Sequence, residues 1–334
     1  MTKKTVSLLI KLLVTAAILF FLFSKVDFSA HGLWFTLRSV KPGYFLFSLL
    51  GVIIALGIKS YRWRLLLANE GFDYPARRGF GAYMSSDAIG IVTPGRIGEI
   101  ARLYYVRQET PISFYQAFKT IVSDRIFDFT MLGWFGLSGL FYYLKTFGSL
   151  PGIAYVSIVL IAFVLAYIAG MSFLSLILRN QWLARWQIIG FVRECFRAVL
   201  SRKSILMWSI TLTAYFAYFF FSWLIMLSLN LKPGFTDVAF IMSIMSLSTI
   251  IPISVAGFGT REATLVILFS YYNLASETAV SFSLLHFTAF FLWGGLIGLV
   301  FWLIMPISLK QVREDSMQIV ELFRPLPKTT GREQ

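Results

Sequence analysis

The chain has 334 residues, of which 57% are hydrophobic and only 14% charged, and its net charge is +14. A soluble domain carries about a quarter charged residues, so the composition excludes an enzyme-sized globule in water and points to an all-α polytopic membrane protein. One cysteine (Cys195) and two histidines (His31 and His286) exclude an intramolecular disulfide and argue against a structural zinc site, and no metal or cofactor is expected.

A helix needs about 20 apolar residues to cross roughly 30 Å of hydrocarbon. The first candidate is 6–23, behind a Lys3-Lys4 start; the run is too long for a signal-peptide core and no cleavage site follows at 27–30, so it is expected to be a retained span. A second span, 44–58, extends through Ser60-Tyr61, and Ser60-Tyr61-Arg62-Trp63-Arg64 reads as an interfacial anchor. The stretch 79–92 is interrupted by Ser85-Ser86-Asp87 and stopped by Thr93-Pro94-Gly95, which suggests a re-entrant hairpin; an ordinary span is the alternative. Spans at 126–144 and 153–178 follow, the first opened by Ser123-Asp124-Arg125-Ile126-Phe127-Asp128.

Residues 180–203 alternate apolar and basic side chains, as in an amphipathic helix on the inner leaflet; a plain cytoplasmic linker helix fits equally. A span at 205–229 leads to a second interrupted stretch, 238–251, broken at 252–259 and resumed at 261–272. This is the second expected hairpin. The last span is 279–305, in which His286 reads as a packed core residue, and 308–334 is expected to be a cytoplasmic tail.

Charge sets the orientation. With both hairpins re-entrant and both termini inside, 24 of the 30 Lys and Arg residues fall on the cytoplasmic side, as the positive-inside rule requires. That bias and anionic lipid headgroups, rather than nucleic acid, account for the basic balance. The expected architecture is one transmembrane domain, 1–307, with about six transmembrane helices and two re-entrant helical hairpins. Units 43–145 and 205–305 then form an inverted repeat, a transporter arrangement.

The two breaks share their punctuation. The first reads Thr93-Pro94-Gly95-Arg96-Ile97-Gly98-Glu99, and the second ends Gly257-Phe258-Gly259-Thr260-Arg261-Glu262. Thr93 is placed to cap a helix running from Pro94 to Arg107, and Thr260 one starting at Arg261. Such N-termini favour an anion such as phosphate. Gly95, Gly98, Gly257 and Gly259 let a headgroup approach the backbone, and Arg96 and Arg261 can clamp it. Glu99 and Glu262 either neutralise those arginines or couple transport to an ion. Asp87, an ionisable group inside a hairpin, is a further coupling candidate. Asp124 and Asp128 share a helix face beside Arg125 and are expected to gate the cytoplasmic side, pairing with Arg96 or Arg102, or to form a structural salt-bridge knot.

These motifs also carry a likeness. Tyr61-Arg62-Trp63-Arg64, the run from Thr93 to Arg102, Ser123-Asp124-Arg125-Ile126-Phe127-Asp128 and Gly257-Phe258-Gly259-Thr260-Arg261-Glu262-Ala263 occur in this order. The chain resembles the lysylphosphatidylglycerol synthetase transmembrane-region, or flippase-like, family over nearly its whole length. The resemblance implies movement of a lipid across the inner membrane. In two-domain members a cytosolic synthetase domain aminoacylates phosphatidylglycerol from charged tRNA; no such domain is expected here.

The leading expectation is a lipid translocator in the cytoplasmic (inner) membrane of a bacterium or archaeon. Its partners would be membrane lipids (an anionic phospholipid or a polyprenyl phosphate), with a lipid-modifying enzyme or a second copy of the chain also to be considered. No G-x-x-x-x-G-K-[ST] motif occurs, so any drive is passive or ion-coupled. The alternatives are a polyprenyl-phosphate-dependent glycosyltransferase, which would need a carboxylate base near its acceptor, and a non-catalytic scaffold for a lipid-modifying enzyme.

Overall fold

The computed structural model describes residues 29–147, 187–250 and 259–307. The expected spans 6–23 and 153–178, residues 180–186 of the linker, Gly257 and the tail 308–334 lie outside the described residues. Every regular element among the described residues is helical.

Helix α1 (Ala30–Arg38) starts at Ser29, whose hydroxyl accepts the Gly32 N–H at 3.1 Å. Helix α2 (Pro42–Ser48) starts on a proline, whose missing N–H costs nothing at that position. It continues almost directly into α3 (Leu50–Asn69), so Pro42–Asn69 is one rod of 28 residues, about 42 Å long. The rod therefore runs well past the expected end at Tyr61. Arg62 and Trp63 are completely buried, so the interfacial-anchor reading is corrected: of this motif only Tyr61 is largely exposed. The helix continues because its next turns pack on protein.

Helix α4 (Ala76–Val92) stops where Pro94 forces Thr93 into an extended conformation, φ −102° and ψ 140°. A 3₁₀ segment, Pro94–Ile100, then turns the chain into α5 (Ala101–Glu109). Helix α6 (Phe114–Phe147) opens with a capping box, in which Ser113 and Gln116 each accept the other's backbone N–H. It covers the whole of 126–144 and begins a further three turns earlier.

Helix α7 (Gln187–Leu200) lies within the expected amphipathic linker. Its apolar face is Phe191, Cys195 and Val199, all buried. Phe191 stacks on Phe118 of α6 with ring centroids 5.2 Å apart. This row of residues packs on protein, whereas Leu200 at the end of the same helix is largely exposed.

The second half contains α8 (Ile205–Ser228), α9 (Phe235–Ile250), α10 (Thr260–Ser270) and α11 (Ser276–His286). A π-helical segment, Phe287–Leu292, joins α11 to α12 (Trp293–Ile304) as one 29-residue rod. Pro42–Asn69, Ile205–Ser228 and Ser276–Ile304 are long and apolar enough to cross a membrane.

The packing between halves is reciprocal. Helix α3 lies antiparallel on α8, with Gly51 against Phe221 at one end and Arg62 on Thr211 at the other. Helix α4 lies antiparallel on α12, with Phe80 and Phe301 edge to face at 5.5 Å. Helix α9 lies antiparallel on α6, through Gly139 beside Phe240 and Tyr142 donating to Asp237 at 2.9 Å. Each half thus lends its α4- or α9-type helix to the last long helix of the other.

The α4–α12 contact depends on Gly298. A Cβ there would lie 2.6 Å from the Ala88 Cβ and closer still to the Met84 carbonyl oxygen. Overpacking of this kind costs about 1–3 kcal/mol, so Gly298→Val is expected to lower the thermal unfolding midpoint of the detergent-purified protein. Gly43→Ala, where a Cβ meets open space, is the control and should leave the midpoint nearly unchanged.

Candidate functional site

Arg62 of α3 organises the interior. Its Nε donates to the Asp124 Oδ1 at 2.9 Å and its Nη2 to the Asp124 carbonyl at 3.1 Å. Its Nη1 donates to the Asp128 Oδ1 at 3.0 Å and to the Thr211 Oγ1 at 2.8 Å. One guanidinium therefore ties α3, α6 and α8 together, and it can hold both carboxylates because Asp124 and Asp128 are one turn apart on α6.

Three more cations complete the network. Arg102 of α5 pairs with Asp124 at 2.8 Å and lies 4.2 Å from the Tyr83 ring centroid. Arg125 bridges Glu99 at 2.8 Å and Asp128 at 3.0 Å. Lys59 reaches Asp128 at 3.2 Å and sits 4.9 Å from the Tyr215 ring centroid. The Tyr83 hydroxyl donates to Asp124 at 2.9 Å.

Arg96 stands at the first break with φ +57°, a left-handed conformation uncommon outside glycine. Its Nε pairs with Glu99 at 2.7 Å and its Nη2 with Asp87. The turn is closed by the Gly98 N–H donating to the Thr93 hydroxyl at 2.8 Å. A Cβ on Gly98 would lie 2.6 Å from the Ile89 carbonyl carbon, so close approach, rather than freedom of φ, requires glycine here. The α-helix begins at Ala101 and not at Pro94, so Thr93 closes a 3₁₀ turn instead of capping an α-helix. Gly95 lies within that turn.

The second break is finished differently. Gly259, at φ +87°, is the N-cap residue of α10, and its N–H donates to the Glu262 carboxylate at 2.7 Å. Thr260 is thus the first helical residue and not the cap. Arg261 pairs with Glu262 at 2.6 Å and donates to the Ser283 hydroxyl at 2.7 Å. Its guanidinium lies over Phe287, 5.0 Å from the centroid. This is a compact, neutral Arg–Glu–Ser unit.

Both breaks face one cavity of about 490 Å³. Its charged lining is Lys59, Asp87, Arg96, Glu99, Arg125 and Asp128 from the first half and Arg261 from the second, with Tyr218, Ser246, Thr249, Phe290 and Phe291 also lining it. Arg96 is the most accessible cation, its side chain 46% exposed, against 28% for Arg125 and 1% for Arg261. Of the expected site residues, Arg96, Arg261, Asp87, Glu99, Arg125 and Asp128 come together here. Asp124 is fully buried and is held by Arg62 and Arg102 rather than by Arg96, and Glu262 is absent from the cavity lining.

Sequence reasoning missed Lys59, Tyr83 and Tyr215, and it assigned Arg62 to the surface. The available signal was Lys59 and Arg62 at i, i+3, a spacing that puts both on one face if the apolar helix continues. His286 is a core residue as expected, 1% exposed and stacked on Phe290 at 4.7 Å.

Around the first break, five cations (Lys59, Arg62, Arg96, Arg102 and Arg125) meet four carboxylates (Asp87, Glu99, Asp124 and Asp128), leaving one positive charge when all are ionised. Burying charge is tolerated only in a well-paired network, and this one carries one cation in excess.

Long apolar helices around a charged internal cavity define a helical membrane protein. Residues 8–298 match the lysylphosphatidylglycerol synthase TM region, and the chain belongs to that family. It is similar to the UPF0104 membrane protein MJ1595 of Methanocaldococcus jannaschii, with 23% identity over 331 residues, 91% of this chain and 95% of that protein. The family is the one its motifs suggested.

Removing one partner of a buried pair leaves the other charge bare, at a cost of about 3–5 kcal/mol. Arg62→Ala is therefore expected to destabilise the purified protein by about that amount in a detergent unfolding assay. Exposed Arg38→Ala, measured alongside, should have little effect.

Proposed function

We propose that the protein is a lipid translocator, moving an amphiphile with an anionic phosphate headgroup between the leaflets of the cytoplasmic membrane. The observation that carries this reading is that both chain breaks deliver an arginine, Arg96 and Arg261, to one cavity with a cationic surplus. The phosphate sits against Arg96, the most accessible of the cavity's cations, in the field of Lys59, Arg125 and Arg261, which line the same cavity. Thr93, Gly95, Gly98, Gly259 and Thr260 shape the two turns that bring these arginines in. Apolar lining residues such as Val52, Ile91 and Leu132 receive the first carbons of the acyl or prenyl chains.

In this reading α3–α6 and α8–α12 are inverted repeats, each a long helix, a re-entrant hairpin and a second long helix. The reciprocal antiparallel contacts support it: if α3 runs toward one face, α4 and α6 run away from it, whereas α8 runs away and α9 and α12 run toward it. Rocking one repeat against the other exposes the headgroup to each leaflet in turn. Both termini lie on the cytoplasmic side.

Reconstitution tests the assignment. Proteoliposomes with labelled anionic, zwitterionic and polyprenyl-phosphate lipids should show protein-dependent movement between leaflets. Each charge-assisted hydrogen bond lost is worth about 1.5–3 kcal/mol, so Arg96→Gln/Arg261→Gln should slow movement at least about tenfold while eluting as a monodisperse species. Wild-type protein that moves none of these lipids overturns the reading.

A further inference from the structure

We propose that binding of the lipid anion is coupled to uptake of one proton by Asp87. The inference rests on the translocator reading above and singles out one carboxylate from several candidates.

The carboxylates differ in how many partners they would keep when an anion enters. Asp124 is held by Arg62, Arg102, Arg125 and the Tyr83 hydroxyl. Asp128 is held by Lys59, Arg62 and Arg125, and Glu99 by Arg96, Arg102 and Arg125. Glu262 has Arg261, Ser283 and the Gly259 N–H. Asp87 has Arg96 as its ion-pair partner, and no other among the described residues.

Arg96 is also the cation that an entering anion meets first. Its side chain is 46% exposed to the cavity, whereas that of Asp87 is 9% exposed. The guanidinium holds Glu99 through Nε and Asp87 through Nη2. A phosphate binding bidentately needs a guanidinium edge with two N–H groups. Engaging the Nη edge displaces Asp87, while Glu99 remains held by Arg102 and Arg125.

Nothing nearby replaces the lost partner. Besides Arg96, the charged groups facing Asp87 are Glu99 from the same break, Arg125 from α6 and Lys59 from α3. Arg125 and Lys59 stay engaged with Glu99 and Asp128. Helix α12, which packs along α4, has no ionisable residue between Trp293 and Ile304. A buried carboxylate without a cation is strongly disfavoured and is relieved by protonation. The step balances: Arg96 leaves Asp87 for the phosphate, and a proton taken up from bulk solution joins an Asp87 carboxylate oxygen. A singly charged phosphodiester and one proton add no net charge, so the empty and loaded sites carry the same charge. The surplus cation draws the anion in, and Asp87 keeps the loaded site from gaining negative charge.

Proton uptake on binding means that affinity is highest at low pH and falls as pH rises through the pKa of Asp87 in the loaded state. It should weaken about tenfold per pH unit between the pKa of Asp87 in the empty site and its higher value in the loaded site, and level off above that. The test is calorimetric titration of the full-length protein in detergent with a short-chain phosphatidylglycerol, in buffers of different ionisation enthalpy. Wild type should take up about one proton per lipid bound. Asp87→Asn should bind with no uptake and a flat pH profile, whereas Asp87→Glu should keep the uptake with a displaced midpoint. Wild type that binds lipid without proton uptake overturns the coupling and leaves the translocator reading standing. Uptake that persists in Asp87→Asn, or that disappears in Glu99→Gln instead, also overturns it. Should Asp87→Asn not fold, an unshifted midpoint in Asp87→Glu has the same force. Wild type that binds no lipid removes the translocator reading and the coupling together.

Discussion

A guanidinium with no contact to water must have its donors satisfied by protein, and in this chain that demand falls on Arg62. It is met by two carboxylates, a backbone carbonyl and a threonine hydroxyl from α6 and α8. The two aspartates thus fixed are the anchors on which Arg102, Arg125 and Lys59 converge. The geometry of the first break follows, since Glu99 is positioned by Arg125 and Arg102 and in turn positions Arg96. A chain of charge thus runs from the middle of a long apolar helix to an accessible arginine at the cavity. Each link is short enough that moving one disturbs the next.

The two breaks use the same residue types to opposite ends. In the second, Arg261, Glu262 and Ser283 satisfy one another, and Glu262 also caps its own helix through the Gly259 N–H. In the first, the arginine is shared between two carboxylates and remains half exposed. One wall of the cavity is therefore electrostatically finished and the other is open to exchange. The second break has Ser283 on a neighbouring helix, whereas the first faces Asp87 on the helix that leads into it.

Much of this was legible from sequence, for identifiable reasons. Apolar length located the long helices, because hydrocarbon thickness sets a minimum that few soluble helices meet. Proline and paired glycines located both breaks, because their backbone effects are local. The aspartate pair was found because i, i+4 spacing is also a local property. What remained hidden was non-local. Arg62 in an aromatic setting looks the same in sequence whether it reaches a lipid headgroup or Asp124, and only the course of α6 decides. The caps were misassigned for a related reason: threonine is a good N-cap, but Glu262 three residues on was already serving Gly259. The packing of Phe191 of α7 on Phe118 of α6 was likewise hidden, since periodicity says that a face is covered and not by what.

The π-helical segment Phe287–Leu292 has a geometric consequence for the rod that contains it. A single wide turn holds one residue more than the α-helical period, which sets everything after it back by about 100° around the axis. Ahead of that turn Ser283 of α11 meets Arg261 of α10, and beyond it Gly298 of α12 meets α4. The register of α12 on α4 therefore depends on the wide turn, where the aromatic residues Phe290 and Phe291 stand beside the cavity.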